Sequence, residues 1–239
     1  YLSPSRINTF LGCEFLYDMK YIKLVPSEEK GKVPMLLGTC VDQALTKMYT
    51  SKMSGEEVVM EDILAGFETH FLEEYDRMEM DSTKKQDAVL NGLKLINIYS
   101  TSIFPVTDAV TVQEELNGEL QFNGVKIPVK GFLDLKTDKI IFDHKVTARS
   151  AGGKMSHSHW FQLATYSALT GVREVAIIYL LNQKTPRIEI INATISDQDI
   201  RYVNRIYYNV WQRIKLIEAN ETTAIPNRNY QWCSLDGCD

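Results

Sequence analysis

Apolar residues recur at helical spacing through roughly the first hundred positions, and the period then shortens toward two. Ile7, Phe10, Leu11 and Phe15 repeat at three- and four-residue intervals behind a potential cap at Ser5, which predicts a helix over 3–20. The polar, charged stretch from Leu24 to Pro34 contains Pro26 and Pro34 and reads as a loop. Leu37, Val41, Leu45 and Met48 line one side of a helix expected over 35–51, and two more helical stretches are expected near 59–76 and 83–102. From about residue 110 come short segments rich in β-branched residues: Val110 to Glu115, Gly118 to Phe122, Val125 to Leu135 and Lys139 to His144. Asn117-Gly118, Asn123-Gly124 and Thr137-Asp138 punctuate them as expected turns. A helix is expected from Ser156 to just before Gly171, strands at 174–182 and 187–194 around Lys184-Thr185-Pro186, and a last helix opened by Ser196 and Asp197 and running to about 218.

Helices, then an antiparallel meander, then helix, strand, strand and helix imply an α/β (α+β) fold with a central mixed sheet flanked by helices. No convincing linker interrupts the order. One domain over 1–239 is therefore expected, with a mainly helical portion (1–105), a sheet with its flanking helices (106–218) and an irregular cysteine-containing tail (219–239).

Composition narrows the class. At 239 residues, 44% apolar and 24% charged, the chain can bury a sizeable core without covalent staples. It has no apolar run long enough to span a bilayer, so no membrane partner is expected, and no secretory leader is recognisable. A net charge of −5 argues against coating nucleic acid by bulk charge but leaves room for a local basic groove. Four cysteines, Cys13, Cys40, Cys233 and Cys238, are too few for a disulfide scaffold of this length, and a reducing cytoplasm is the expected compartment.

The chemistry concentrates in GFLDLKTDKIIFDHK, residues 131–145. Asp143 and Lys145 are two apart on one expected strand and so share a face; a hairpin through Thr137-Asp138 brings Asp134 close to them. Two adjacent carboxylates need a proton or a cation between them, and hard oxygen donors suit Mg²⁺ or Mn²⁺. A neighbouring ammonium can orient or help to deprotonate a water. The same short pattern also fits a surface hairpin with an Asp–Lys pair. Downstream, Gln162 and Tyr166 lie four apart on one helical face, as a phosphate- or base-contacting pair or as ordinary rim and core residues. Asp42 stands on an otherwise apolar helical face, where a metal, a salt bridge or exposure at the helix edge would each satisfy it.

In this order, LSPSRINTFLGCEFLYDMKY, GTCVDQAL, GFLDL, IIFDHK and QLATY resemble the RecB-like branch of the PD-(D/E)xK nucleases, which includes CRISPR-associated adaptation nucleases and phage exonucleases. The resemblance implies a restriction-endonuclease-like core and a bacterial or phage-encoded, metal-dependent DNA nuclease of recombination, repair or phage DNA processing, working alone or beside a helicase or recombination partner. It implies Asp134 and Asp143 as metal carboxylates, with the His144 carbonyl as a further ligand, Lys145 as the catalytic lysine, and Gln162 and Tyr166 as the pair that holds DNA and the centre together. Asp42 falls where most relatives carry a histidine ligand, an expected substitution of ligand. Glu115 matches a strand acid of the family and is not counted as catalytic. Some relatives bind a [4Fe–4S] cluster through one N-terminal and three C-terminal cysteines; Cys13, Cys233 and Cys238 match three of these, with a longer spacing between the last two, and a zinc site or free thiols are the alternatives. Cys40 is expected as a buried helix cysteine.

Arg149 and Lys154 flank a Gly-containing loop and are either phosphate contacts or solvated loop residues. His157 and His159 are expected at the surface of a helix start, and Tyr207, Tyr208 and Trp211 in packing. Two further readings compete with the enzyme: a nucleic-acid-binding module of the same fold that has lost catalysis, and an iron–sulfur-dependent nuclease subunit that needs a partner.

Overall fold

The computed structural model describes residues 1–26, 32–227 and 230. Helices α1 (Pro4–Gly12), α2 (Glu14–Tyr17), α3 (Val33–Ser54), α4 (Met60–Arg77) and α5 (Lys85–Ser102) precede strands β1 (Thr111–Phe122), β2 (Val125–Lys136) and β3 (Ile140–Thr147); α6 (His157–Thr170), β4 (Glu174–Leu181), β5 (Arg187–Thr194) and α7 (Asp197–Glu218) follow. The five strands form one mixed sheet in the order β1-β2-β3-β4-β5, antiparallel except for the parallel pair β3–β4, whose crossover is α6. The α/β expectation with a mixed sheet and flanking helices is met.

Two cores lie on opposite faces of the sheet. Val175, Ile177, Tyr179 and Leu181 of β4 pack with residues of α1, α6 and α7, while the intervening Ile178 and Leu180 pack with residues of α3, α4 and α5. β4 is thus buried on both sides, which explains its nearly unbroken apolar run.

Three expectations need correction. The helix expected over 3–20 breaks at Cys13, which is extended (φ −160°, ψ 111°) and caps α2 by accepting the Leu16 N–H at Sγ. α3 begins at Val33, so Pro34 is not loop but lies in the first turn, where no intrahelical N–H is needed. Asn117-Gly118 is not a turn: β1 runs through it, with Asn117 opposite Lys130 and Gly118 opposite Val129. The turn falls six residues later at Asn123-Gly124, where both φ angles are positive (49° and 77°).

Candidate metal and active site

The site forms where β2 and β3 splay. Their ladder holds only Leu135↔Phe142 and Lys136↔Ile141, and beyond it Asp134 Oδ2 accepts the backbone N–H of His144 at 2.7 Å. On the neighbouring strand the register passes from Val112↔Leu135 to Glu114↔Leu133, which puts Gln113 opposite Asp134. Gln113 is in the left-handed region (φ 48°), a costly conformation for a residue with a side chain, and its Nε2 donates to Asp42 Oδ2 at 2.7 Å.

β3 divides its side chains between the two faces. Asp143 and Lys145 face α6: Lys145 Nζ lies 2.9 and 2.7 Å from Asp143 Oδ1 and Oδ2, and Gln162 Nε2 donates to Asp143 Oδ1 at 2.8 Å. The same amide lies 3.3 Å from the Tyr166 hydroxyl. The Tyr166 ring crosses β2 directly over Gly131, where a β-carbon would collide with it. His144 points the other way, toward α3 and α5. Its ring nitrogens face Tyr99 Oη (3.0 Å from Nε2) and Asp42 Oδ1 (3.7 Å from Nδ1).

Charge is concentrated here. Burial first, and the Asp143 carboxylate second, push the Asp134 carboxyl up to about 7. Burial lowers the Lys145 ammonium, but the Asp143 and Asp134 carboxylates outweigh it and hold the group above its ordinary value, so it stays charged. Burial, together with the Asp143 charge, pushes the Tyr166 hydroxyl up to about 12, keeping it a neutral donor.

Donor atoms of Asp42, Asp134 and His144 all lie within 4.8 Å of one another, at a cavity of about 410 Å³ whose lining includes Asp42, Asp134, His144 and Lys145. Two carboxylates and an imidazole, one carboxylate poorly ionised because burial and the Asp143 charge outweigh the cations near it, form a donor set that fits a divalent cation. Asp143 adjoins this group with its oxygens engaged by Lys145 and Gln162.

A second cavity, about 580 Å³, opens on the other side of Lys145 and is lined by Arg149, Lys154, His159 and Tyr179 among others. Lys145 therefore stands between an acidic and a basic hollow. His159 is half-buried, with Nδ1 2.8 Å from Tyr179 Oη, and burial first, then the Lys145 charge, hold it below its ordinary pKa. The surface expectation holds for His157, which is exposed and stacks on Trp160, but not for His159. Glu115 is exposed and paired with Lys130 at 3.3 Å, away from the chemistry. Cys40 is buried, its thiol pushed up to about 11 by burial. Tyr207 stacks on Phe161 within the core, as expected.

Cys13 is also buried, and its Sγ accepts the N–H groups of Leu16 (3.4 Å) and Asn227 (3.3 Å). Cys233 and Cys238 lie outside the described residues. Gln113 and Tyr99 were not singled out by the sequence; each reaches the site through tertiary packing that no local spacing announces.

The splayed strand pair of the mixed sheet thus carries Asp134 and the Asp143-x-Lys145 pair, with Gln162-x-x-x-Tyr166 set against them. The family model of the PD-(D/E)XK nuclease superfamily matches residues 1–239, and the chain belongs to that superfamily. Among solved structures, a candidate exonuclease from Eubacterium rectale is similar over 98% of this chain and 86% of its own, at 19% identity and a TM-score of 0.66. That likeness is one of fold. SSO0001 aligns over 81% of each chain at 16% identity with a TM-score of 0.36, on which nothing rests. No curated protein matches the chain. Among the described residues no helix is long and apolar enough to cross a membrane.

Proposed function

We propose that this nuclease is a Mg²⁺- or Mn²⁺-dependent deoxyribonuclease, acting as an exonuclease in recombination, repair or phage DNA processing. The observation that carries the reading is the position of Lys145, a charged ammonium between the Asp42–Asp134–His144 donor cluster and a hollow that Arg149 and Lys154 make basic. Asp42, Asp134 and His144 would hold the cation, with Asp143 beside them. The cation supplies positive charge next to the scissile phosphate and acidifies water. Lys145 offsets the negative charge that builds on the phosphate oxygens and orients the attacking water through Nζ. Gln162 and Tyr166 fix the Asp143 carboxylate that in turn fixes Lys145. Arg149 and Lys154 hold neighbouring phosphates along the second hollow.

End-labelled single- and double-stranded DNA, incubated with Mg²⁺, Mn²⁺ or EDTA, tests this. Wild type is expected to cut only with metal, and Lys145→Ala and Asp134→Ala to lose at least about a hundredfold of the rate. A product ladder shortening from one end identifies an exonuclease. Retained binding without cutting in either metal would instead make the chain a binding module.

The amide cradle at Cys13 favours one addition. Two N–H groups aimed at a sulfur suit a metal-bound thiolate, and one of them belongs to Asn227, upstream of Cys233 and Cys238 in the chain. This supports a [4Fe–4S] cluster held by Cys13, Cys233, Cys238 and a fourth ligand. Anaerobic purification giving colourless, iron-free protein would eliminate it.

A further inference from the structure

Three groups behind the site form a hydrogen-bonded line through the interior: His144 Nε2 lies 3.0 Å from Tyr99 Oη, and Tyr99 Oη lies 3.0 Å from Tyr49 Oη. Tyr49 and Tyr99 are buried, and the His144 side chain is 5% exposed.

Each hydroxyl has one proton to give, so when Tyr99 donates to Tyr49 it accepts from His144, whose Nε2 then carries the hydrogen. In a neutral imidazole this leaves Nδ1 with a free lone pair. Nδ1 is buried and has no hydrogen-bond partner. It faces Asp42 Oδ1 at 3.7 Å, too far for a hydrogen bond, within the Asp42–Asp134–His144 cluster.

We propose that the His144 imidazole, through Nδ1, is a nitrogen ligand of the metal centre, held in that tautomer by the Tyr99–Tyr49 pair. Tyr99 is then a positioning residue that acts through His144. A nitrogen donor among carboxylates favours Mn²⁺ and later first-row ions over Mg²⁺, since imidazole is a softer donor than the oxygens that Mg²⁺ prefers. The inference rests on the nuclease reading only for the existence of a metal centre.

The test uses the whole chain loaded with Mn²⁺ and read by pulsed electron paramagnetic resonance, with affinity from calorimetry. Wild type is expected to show the hyperfine coupling of a directly bound ¹⁴N and to bind Mn²⁺ more tightly than Mg²⁺. His144→Asn is expected to lose the coupling while still melting cooperatively. Tyr99→Phe is expected to keep the coupling but bind Mn²⁺ about tenfold more weakly, the usual cost of removing the partner of a ligating histidine. Mn²⁺ bound by wild type without nitrogen coupling, a coupling that survives in His144→Asn, or no Mn²⁺ binding at all would each overturn the ligand assignment. Unchanged affinity in Tyr99→Phe would overturn the positioning role. Nitrogen coupling in a protein that cuts no DNA would leave the ligand assignment standing and sink the nuclease reading. DNA cutting without nitrogen coupling would do the reverse.

Discussion

Gln162 holds two partners with one amide, the Asp143 carboxylate at 2.8 Å and the Tyr166 hydroxyl at 3.3 Å, and this works only while the Tyr166 ring stays where it is. Gly131 keeps it there by having no side chain. In Gly131→Ala the added methyl meets the rigid ring, not a flexible tip, so Tyr166 must move and Gln162 loses its orientation. The expected outcome is a loss of about 1–3 kcal/mol in denaturant unfolding, the usual cost of overpacking, together with a fall in cleavage rate. Unchanged stability and rate would show that the ring is free to shift. Asp134, Asp143, Lys145, Gln162 and Tyr166 were legible in the sequence because strand alternation and the helical turn relate residues two and four apart. Gln113 and Tyr99 were not, because they come from β1 and α5 and no periodicity links them to β3. In the proposed centre the nitrogen donor, missing at Asp42, comes from β3 on the opposite side of the same cavity, an exchange only tertiary structure reveals.

At the scale of elements, two Asn-Gly pairs read alike in sequence and behave differently in the sheet. Asn123-Gly124 turns the chain because both residues adopt left-handed φ. Asn117-Gly118 continues the strand, and Gly118 is small because the tip of Leu169 from α6 lies where its β-carbon would be, 2.9 Å from Cδ2. The local signal for a turn was real; packing against α6 overrode it. Alanine separates the two cases. Gly124→Ala forces a left-handed alanine at φ 77° and is expected to cost about 1–2 kcal/mol. Gly118→Ala displaces only a flexible leucine terminus and gains strand propensity, so the net change is expected to stay within about 0.5 kcal/mol. Urea midpoints measure both, and the opposite ranking would place the turn at Gly118. The other strands and helices followed their periodicity closely because two opposed cores impose it on both faces of the sheet. The break at Cys13 escaped because the apolar spacing continues across it.

For the molecule as a whole, the centre is a local cost carried by the rest of the fold. The Asp134 carboxyl, at about 7 in the folded chain, stands above the ordinary value of 3.8, so the folded state holds its proton more tightly than the unfolded state does. Its contribution to stability is fully present below pH 3.8 and is lost as pH rises through 7. Other groups titrate in the same range with the opposite sign; burial and the Lys145 charge hold His159 below its ordinary value, so it adds stability as pH rises. Comparison of wild type with Asp134→Asn, which keeps an oxygen for the His144 N–H, isolates the Asp134 contribution. In EDTA at pH 8 the variant is expected to melt above wild type, and the gap should close as pH is lowered toward 4. Millimolar Mn²⁺ should reverse the order, because the cation binds only the folded state and binds it best when both carboxylates are present. A gap independent of pH, or an Asn variant no more stable than wild type in EDTA, would show that the site does not strain the metal-free fold. The expected result instead makes the acidic centre a place where stability is given up in the apo protein and restored by the ion that the chemistry requires.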